Sequence, residues 1–314
     1  IDGGANGKVV EINSGETSAE LTGFTIQNGK HPYGGGIAID DATATIKRCR
    51  VIDNGGSSGG GPGGIMVKDS YGSSSVTIEY CEILSNSGAG LGIENSSTVT
   101  IKNSIIANNS TSASGGGISS VGNLTIENCV FHNNKSTSGS SEGGAIRSYF
   151  AKDLSITNST FSNNSAAKGG AIYFEENVKP GSIKNSIFWG NTGTVLTGGT
   201  GTIAGSQIYK GTNGTLTITY SNIEGGYTGT GNINSDPRFI NPGDGNYNIQ
   251  NYSPAIGAGT TSGAPSTDID GNTRPNPSGT NPDMGAYENS LGSPTVQVTN
   301  TASTTDNGTY KLVM

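Results

Sequence analysis

The chain is 314 residues long and contains 52 glycines; 13% of positions are charged, and 17 Lys and Arg against 24 Asp and Glu leave a net charge of −7. Its 31% apolar share is well below the roughly 45–50% of ordinary compact folds, which argues against a thick multilayer core. The acidic balance argues against nucleic acid, whose phosphates need clustered Lys and Arg, and no apolar run of about 18 residues encodes a membrane-spanning helix.

The chain opens abruptly at Ile1-Asp2-Gly3-Gly4 and closes on Tyr310 to Met314 in what reads as a strand, with no initiator Met or signal peptide. We expect it to be a piece of a longer polypeptide with further domains. From Leu21 onward one unit recurs: T-I-x-N-S/C-x-F/I-x-N-N, a variable polar loop, then G-G-x-I. Its first apolar residue falls at Leu21, Ile46, Ile78, Ile101, Ile126, Ile156, Ile183 and Ile218, about 28 residues apart on average. Such a period with irregular insertions is that of a solenoid.

Superimposing the units gives columns. Three positions after the start stand Phe24, Cys49, Cys81, Ser104, Cys129, Ser159, Ser186 and Ser221; two further on stand Ile26, Val51, Ile83, Ile106, Phe131, Phe161, Phe188 and Ile223. Both columns are expected to point inward. One asparagine column holds Asn54, Asn86, Asn109, Asn134, Asn164 and Asn191, and a second holds Asn103, Asn128, Asn158 and Asn185. The alternation Val99-Thr100-Ile101 has period two and reads as a strand. It breaks at the second asparagine column, where Asn tolerates the left-handed backbone of a sharp corner. Stacked amides at such corners bond one another along the stack. Each unit is thus one rung of at least three short strands, paired in parallel with the next rung about 4.8 Å away. The pairs Gly116-Gly117, Gly143-Gly144 and Gly169-Gly170 are expected to bend the loop back into its strand. No Lys-Ser/Thr follows them, so they do not read as a phosphate cradle.

The rungs resemble right-handed parallel β-helices of the pectate-lyase-like superfamily. Phe131 to Asn134 (F-H-N-N) with Gly143 to Ile146, and Phe161 to Asn164 (F-S-N-N) with Gly169 to Ile172, are similar to the F-x-x-N and G-G-A-I repeats of polymorphic outer-membrane autotransporter adhesins. The expected fold is all-β: a right-handed parallel β-helix of about eight or more rungs and three parallel sheets over residues 1–227, with a C-terminal capping segment. The series from Asn234-Ser235-Asp236-Pro237 to Asp283-Met284-Gly285-Ala286-Tyr287-Glu288 resembles the closing segment of secreted bacterial β-helix proteins. Residues 228–290 are therefore expected to cover the tube end and its strand edges. Residues 291–314, with the alternation Thr295 to Thr299, are expected to be a linker and the start of an Ig-like module.

The three cysteines share one inward column and are expected to be free thiols, since a 4.8 Å rung spacing exceeds the roughly 3.8 Å Cβ separation a disulfide prefers. The outward positions following G-G-x-I place Arg147, Tyr149, Tyr173 and Glu175 on two rungs, with Lys152 nearby. This is a polar and aromatic patch suited to sugar by stacking and hydrogen bonding, or an ordinary outer sheet face. Trp189, the sole tryptophan, is read as outward-facing, either a sugar platform or a loop cover. His132 reads as outward beside Phe131, with no second histidine near it. Asp268, Asp270 and Asn272 partly match a calcium loop, with Asp283 or Glu288 completing a different cage, or form a turn in which the carboxylates bond backbone amides. Ca²⁺ is the one cofactor considered. The favoured function is a secreted or cell-surface module that is structural, adhesive or glycan-binding, whose partner is a polysaccharide or host-surface glycan. The alternative is a polysaccharide lyase or glycoside hydrolase acting on an acidic polysaccharide.

Overall fold

A computed structural model describes residues 1–56, 61–94, 96–150, 153–175, 180–193, 202–203, 207–211 and 215–296, without the side chains of 175, 202 and 203. Three parallel sheets stack side by side around a narrow tube, each turn supplying one strand to each sheet. In one turn these are Ile118–Ser120, Asn123–Glu127 and Val130–His132. Each sheet takes one parallel strand from each of eight successive turns, the last contributing strands as short as Asn222–Ile223. Among the described residues there is no α-helix, only a 3-10 turn at Pro242–Asp244.

Strand pairing puts like on like. Ile46, Ile78, Ile101, Ile126, Ile156, Ile183 and Ile218 lie in register down the second sheet, and all are buried. In the third sheet Phe131, Phe161 and Phe188 stack with centroids 4.7 Å apart and planes within 7°. This one-residue-wide core explains how so apolar-poor a chain buries enough surface to fold.

Two corners set the winding. Between the second and third sheets Arg48, Tyr80, Asn103, Asn128, Asn158, Asn185 and Tyr220 all adopt left-handed φ between 47° and 53°. After the third sheet the first residue of each N-N pair does the same, as at Asn108, Asn133 and Asn163, and Gly190 replaces it at φ 72°. The second residue of the pair turns inward and forms the ladder. Nδ2 of Asn54, Asn86, Asn109, Asn134 and Asn164 each donates to Oδ1 of the next at 2.8–3.1 Å. The same Oδ1 also accepts the preceding backbone N–H, as from Asn134 to Asn164 at 3.0 Å. Gln207 Oε1, unforeseen in the repeat, accepts from Asn191 and extends the ladder.

A second ladder runs down the cysteine column. Backbone N–H groups of Cys49, Cys81, Cys129, Ser159 and Ser186 donate to the next rung's Sγ or Oγ, at 3.0–3.4 Å. The thiols are free and buried, and burial pushes Cys81 and Cys129 up to about 12. Phe24, expected inward in this column, is 45% exposed: the stacked thiols and hydroxyls leave no volume for a ring.

The closing segment differs most from expectation. Residues 227–234 do seal the tube end, where Tyr227 Oη donates to Leu216 O and Asn232 Nδ2 to Ile218 O, both at 2.9 Å. Residues 235–290, expected to cap the end as well, instead run back along the outer face of the third sheet. Asn185 Oδ1 accepts from Thr260 N at 2.9 Å, Asn158 Nδ2 donates to Asp283 O at 3.1 Å, and Asn128 Nδ2 donates to Thr267 O at 2.7 Å. The cause lies in one outward column, in register as Arg50, Glu82, Ile105, Val130, Thr160 and Ile187. Its early members are charged; Ile105, Val130 and Ile187 are apolar and demand cover. Residues 297–314, including most of the expected Ig-like start, lie outside the described residues.

Candidate ligand-binding groove

The outer face of the first sheet is open over its middle turns. Its outward column reads Ala38, Met66, Gly92, Ser119, Arg147, Tyr173 and Tyr209 in register. Over its middle rungs lies a groove of about 640 Å³, floored by Met66, Gly92 and Ser119 and walled by Pro62, Glu94, Ser138 and Glu142. The glycine pairs make the entry bends beside it. Gly143 has φ 65°, and a Cβ on Gly144 would stand 2.2 Å from the Gly170 carbonyl oxygen, so only glycine fits.

Arg147 closes one end. Its Nε donates to Glu142 Oε2 at 3.1 Å, and its guanidinium lies 4.4 Å from the Tyr149 ring centroid. Phe150, half exposed, meets Tyr149 edge-on at 4.3 Å. Glu142 also faces Lys168 at 3.8 Å, so this trio carries one net positive charge. Tyr173 is 2% exposed, stacked 5.0 Å from Tyr209 and 6.5 Å from Tyr149; it supports the patch from within. Glu175 pairs in register with Tyr149, but its side chain and the whole of Lys152 lie outside the described residues. Trp189 is not part of this patch. It stands on the third sheet, packed beneath the folded-back segment with Ile187, Ile256 and Met284, because its outward column is the one that segment covers.

Glu94, in the groove wall, was not singled out from sequence. Its Oε2 accepts from Asp69 N at 3.3 Å. Burial raises its pKa, and a side-chain hydrogen bond with Asp69 adds to the rise. Asp69 is lowered: burial opposes this, but hydrogen bonds from Ser96 outweigh it, its Oδ2 accepting Ser96 N at 2.7 Å. The two neighbouring carboxyls are thus shifted in opposite directions, Glu94 upward and Asp69 downward.

The calcium candidates sit elsewhere, in the folded-back segment. Asp268 Oδ1 accepts backbone N–H groups of Asp270 and Asn272, and Oδ2 accepts Asn272 Nδ2 and Glu288 N, at 2.8–3.1 Å. Asp283 accepts Gly257 N and Asn289 N at 2.8 and 2.7 Å; burial pushes it up to about 7, with the Glu288 charge adding to the rise. Both carboxylates thus bond backbone amides, and no group of three His, Cys, Asp or Glu among the described residues is arranged to hold a metal. Arg274 is the keystone there, donating to Glu288 Oε2 at 2.8 Å and to Asn128 Oδ1 at 2.7 Å.

The chain is similar to known proteins in its repeats and its fold. The model of the right-handed β-helix region matches residues 4–123. The repeat of the Chlamydia polymorphic membrane protein matches residues 158–175, spanning the second F-x-x-N and G-G-A-I pair. The crystal structure of pectate lyase Pel9A is similar over 88% of this chain and 69% of its own, at 17% identity and a TM-score of 0.51. No curated protein matches the chain. Parallel register, left-handed corners, stacked ladders and these likenesses converge: the chain is a right-handed parallel β-helix of pectate-lyase-like fold.

Proposed function

We propose that this is a secreted or cell-surface β-helix module that binds a glycan in the groove of the first sheet. The observation that carries the reading is the end of the groove, where the Arg147 guanidinium lies over Tyr149 beside a half-exposed Phe150. An aromatic surface next to a cation suits the apolar face of a sugar ring and an acidic substituent. The likeness of residues 158–175 to an outer-membrane protein repeat supports display outside the cell. The test is binding to immobilised acidic and neutral polysaccharides. We expect retention on an acidic one, weakened about tenfold by Arg147→Ala, a loss of roughly 1.4 kcal/mol. Absence of binding to every polysaccharide would leave a spacer without a ligand.

A second reading rests on Glu94 and Asp69. Neighbouring carboxyls whose pKa values are pushed apart, Glu94 upward and Asp69 downward, are the arrangement general acid catalysis uses, which points to hydrolysis of a polysaccharide lying in the groove. Turnover abolished by Glu94→Gln with binding intact would favour it; polysaccharide recovered uncleaved would dismiss it.

A further inference from the structure

Neither reading uses His132, a half-buried titratable group. His132 sits on the third sheet with Ala107 and Ser162 beside it in register. The hairpin of Phe239–Asn241 and Asn246–Ile249 lies over it. The imidazole stands 5.2 Å from the Tyr247 ring, itself edge-on to Phe239 at 5.1 Å. Gly245 crosses the ring's far edge, its Cβ direction 3.9 Å from Nε2. His132 Nδ1 and Tyr247 Oη are both enclosed without a hydrogen-bond partner. The groups facing the ring are Ala107 and Ser162 from the sheet and Gly245 and Tyr247 from the hairpin. Tyr247 is the one titratable group among them, and among the described residues no carboxylate is paired with the ring. Asp244, next along the turn, is held by Asn241 Nδ2 at 2.6 Å.

We propose that His132 is an acid-sensitive release for this hairpin: protonating it places an uncompensated cation in the joint between solenoid and folded-back segment, and the hairpin lifts. A cation with one nitrogen enclosed and unpartnered is the costlier state, and Nδ1 of this half-buried ring is so placed. Consistently, burial lowers the His132 pKa from 6.5. For a histidine depressed in the docked state, the lifted state binds more protons. Docking is therefore complete above about 6.5 and weakens as the pH falls from there toward the docked value. Lifting uncovers Val130, Ile105 and the faces of Phe239 and Tyr247, an apolar strip along the tube.

Trp189 reports the event, since the sole tryptophan packs in one cluster with Phe239 and Ile249. Acrylamide quenching of its fluorescence is measured from pH 8 to pH 4, with far-ultraviolet circular dichroism to confirm that the tube stays folded. The lifted population is expected to rise up to about tenfold per pH unit below about 6.5, and His132→Phe is expected to abolish that rise. Tyr247→Phe, which keeps the histidine, is expected to retain it. Should His132→Phe fail to fold, an NMR titration of His132 in the native chain decides, the proposal requiring a midpoint below that of the acid-unfolded chain. Quenching independent of pH, the same pH dependence in His132→Phe, or an unshifted midpoint would each overturn the proposal.

Discussion

The outer faces of the first and third sheets are built from the same rung, yet one is open and the other covered. On the first sheet the outward column mixes Ala38, Gly92, Ser119 and Arg147, and a groove remains. On the third it turns apolar at Ile105, Val130 and Ile187, and residues 235–290 lie over it. The strand geometry is common to both, so the difference comes from outward side chains alone. In a solenoid the inward columns fix the fold, and the outward columns decide what each face meets.

The most disruptive way to break this contrast is Arg274→Met. It leaves Asp268, Asp283 and Glu288 without their buried cation and removes the bond to Asn128. A cost of about 3–5 kcal/mol is expected, read as Trp189 exposure while the β signal of the tube persists. Next, an aspartate on each face separates them. Val130→Asp buries an unpaired charge under the segment and should cost about 3 kcal/mol, whereas Ser119→Asp in the open groove should stay within about 0.5 kcal/mol in denaturant melts. Equal losses at the two sites would refute the contrast. On the open face, Tyr149→Ala should weaken polysaccharide retention by about 1 kcal/mol with stability little changed. Smallest of all, Cys81→Ser should shift stability by less than about 1 kcal/mol, because serine can take the same place in the thiol and hydroxyl ladder.

Much of the rung was legible before any coordinates. The asparagine ladder and the left-handed corners follow from stacking identical residues at one spacing, so a column in the sequence becomes a column in space. The groove was half legible. Arg147 and Tyr149 fall two apart on outward positions of one strand, and the guanidinium lies against the ring. Glu94 with Asp69, and Glu142 under Arg147, were not visible, because loops of irregular length bring them in and no period predicts where a loop lands. Trp189 shows the same limit: its outward direction was readable, but the cover over it comes from residues such as Phe239, Ile256 and Met284, far later in the chain.

The sequence by itself determined the winding: periodic apolar residues, corner asparagines and re-entry glycines act through contacts between adjacent rungs, which recur at fixed spacing along the chain. Only the tertiary structure decided which outer face would be closed. That depended on where one long non-repeating segment found apolar surface and a partner for Arg274, and neither contact is local in the chain.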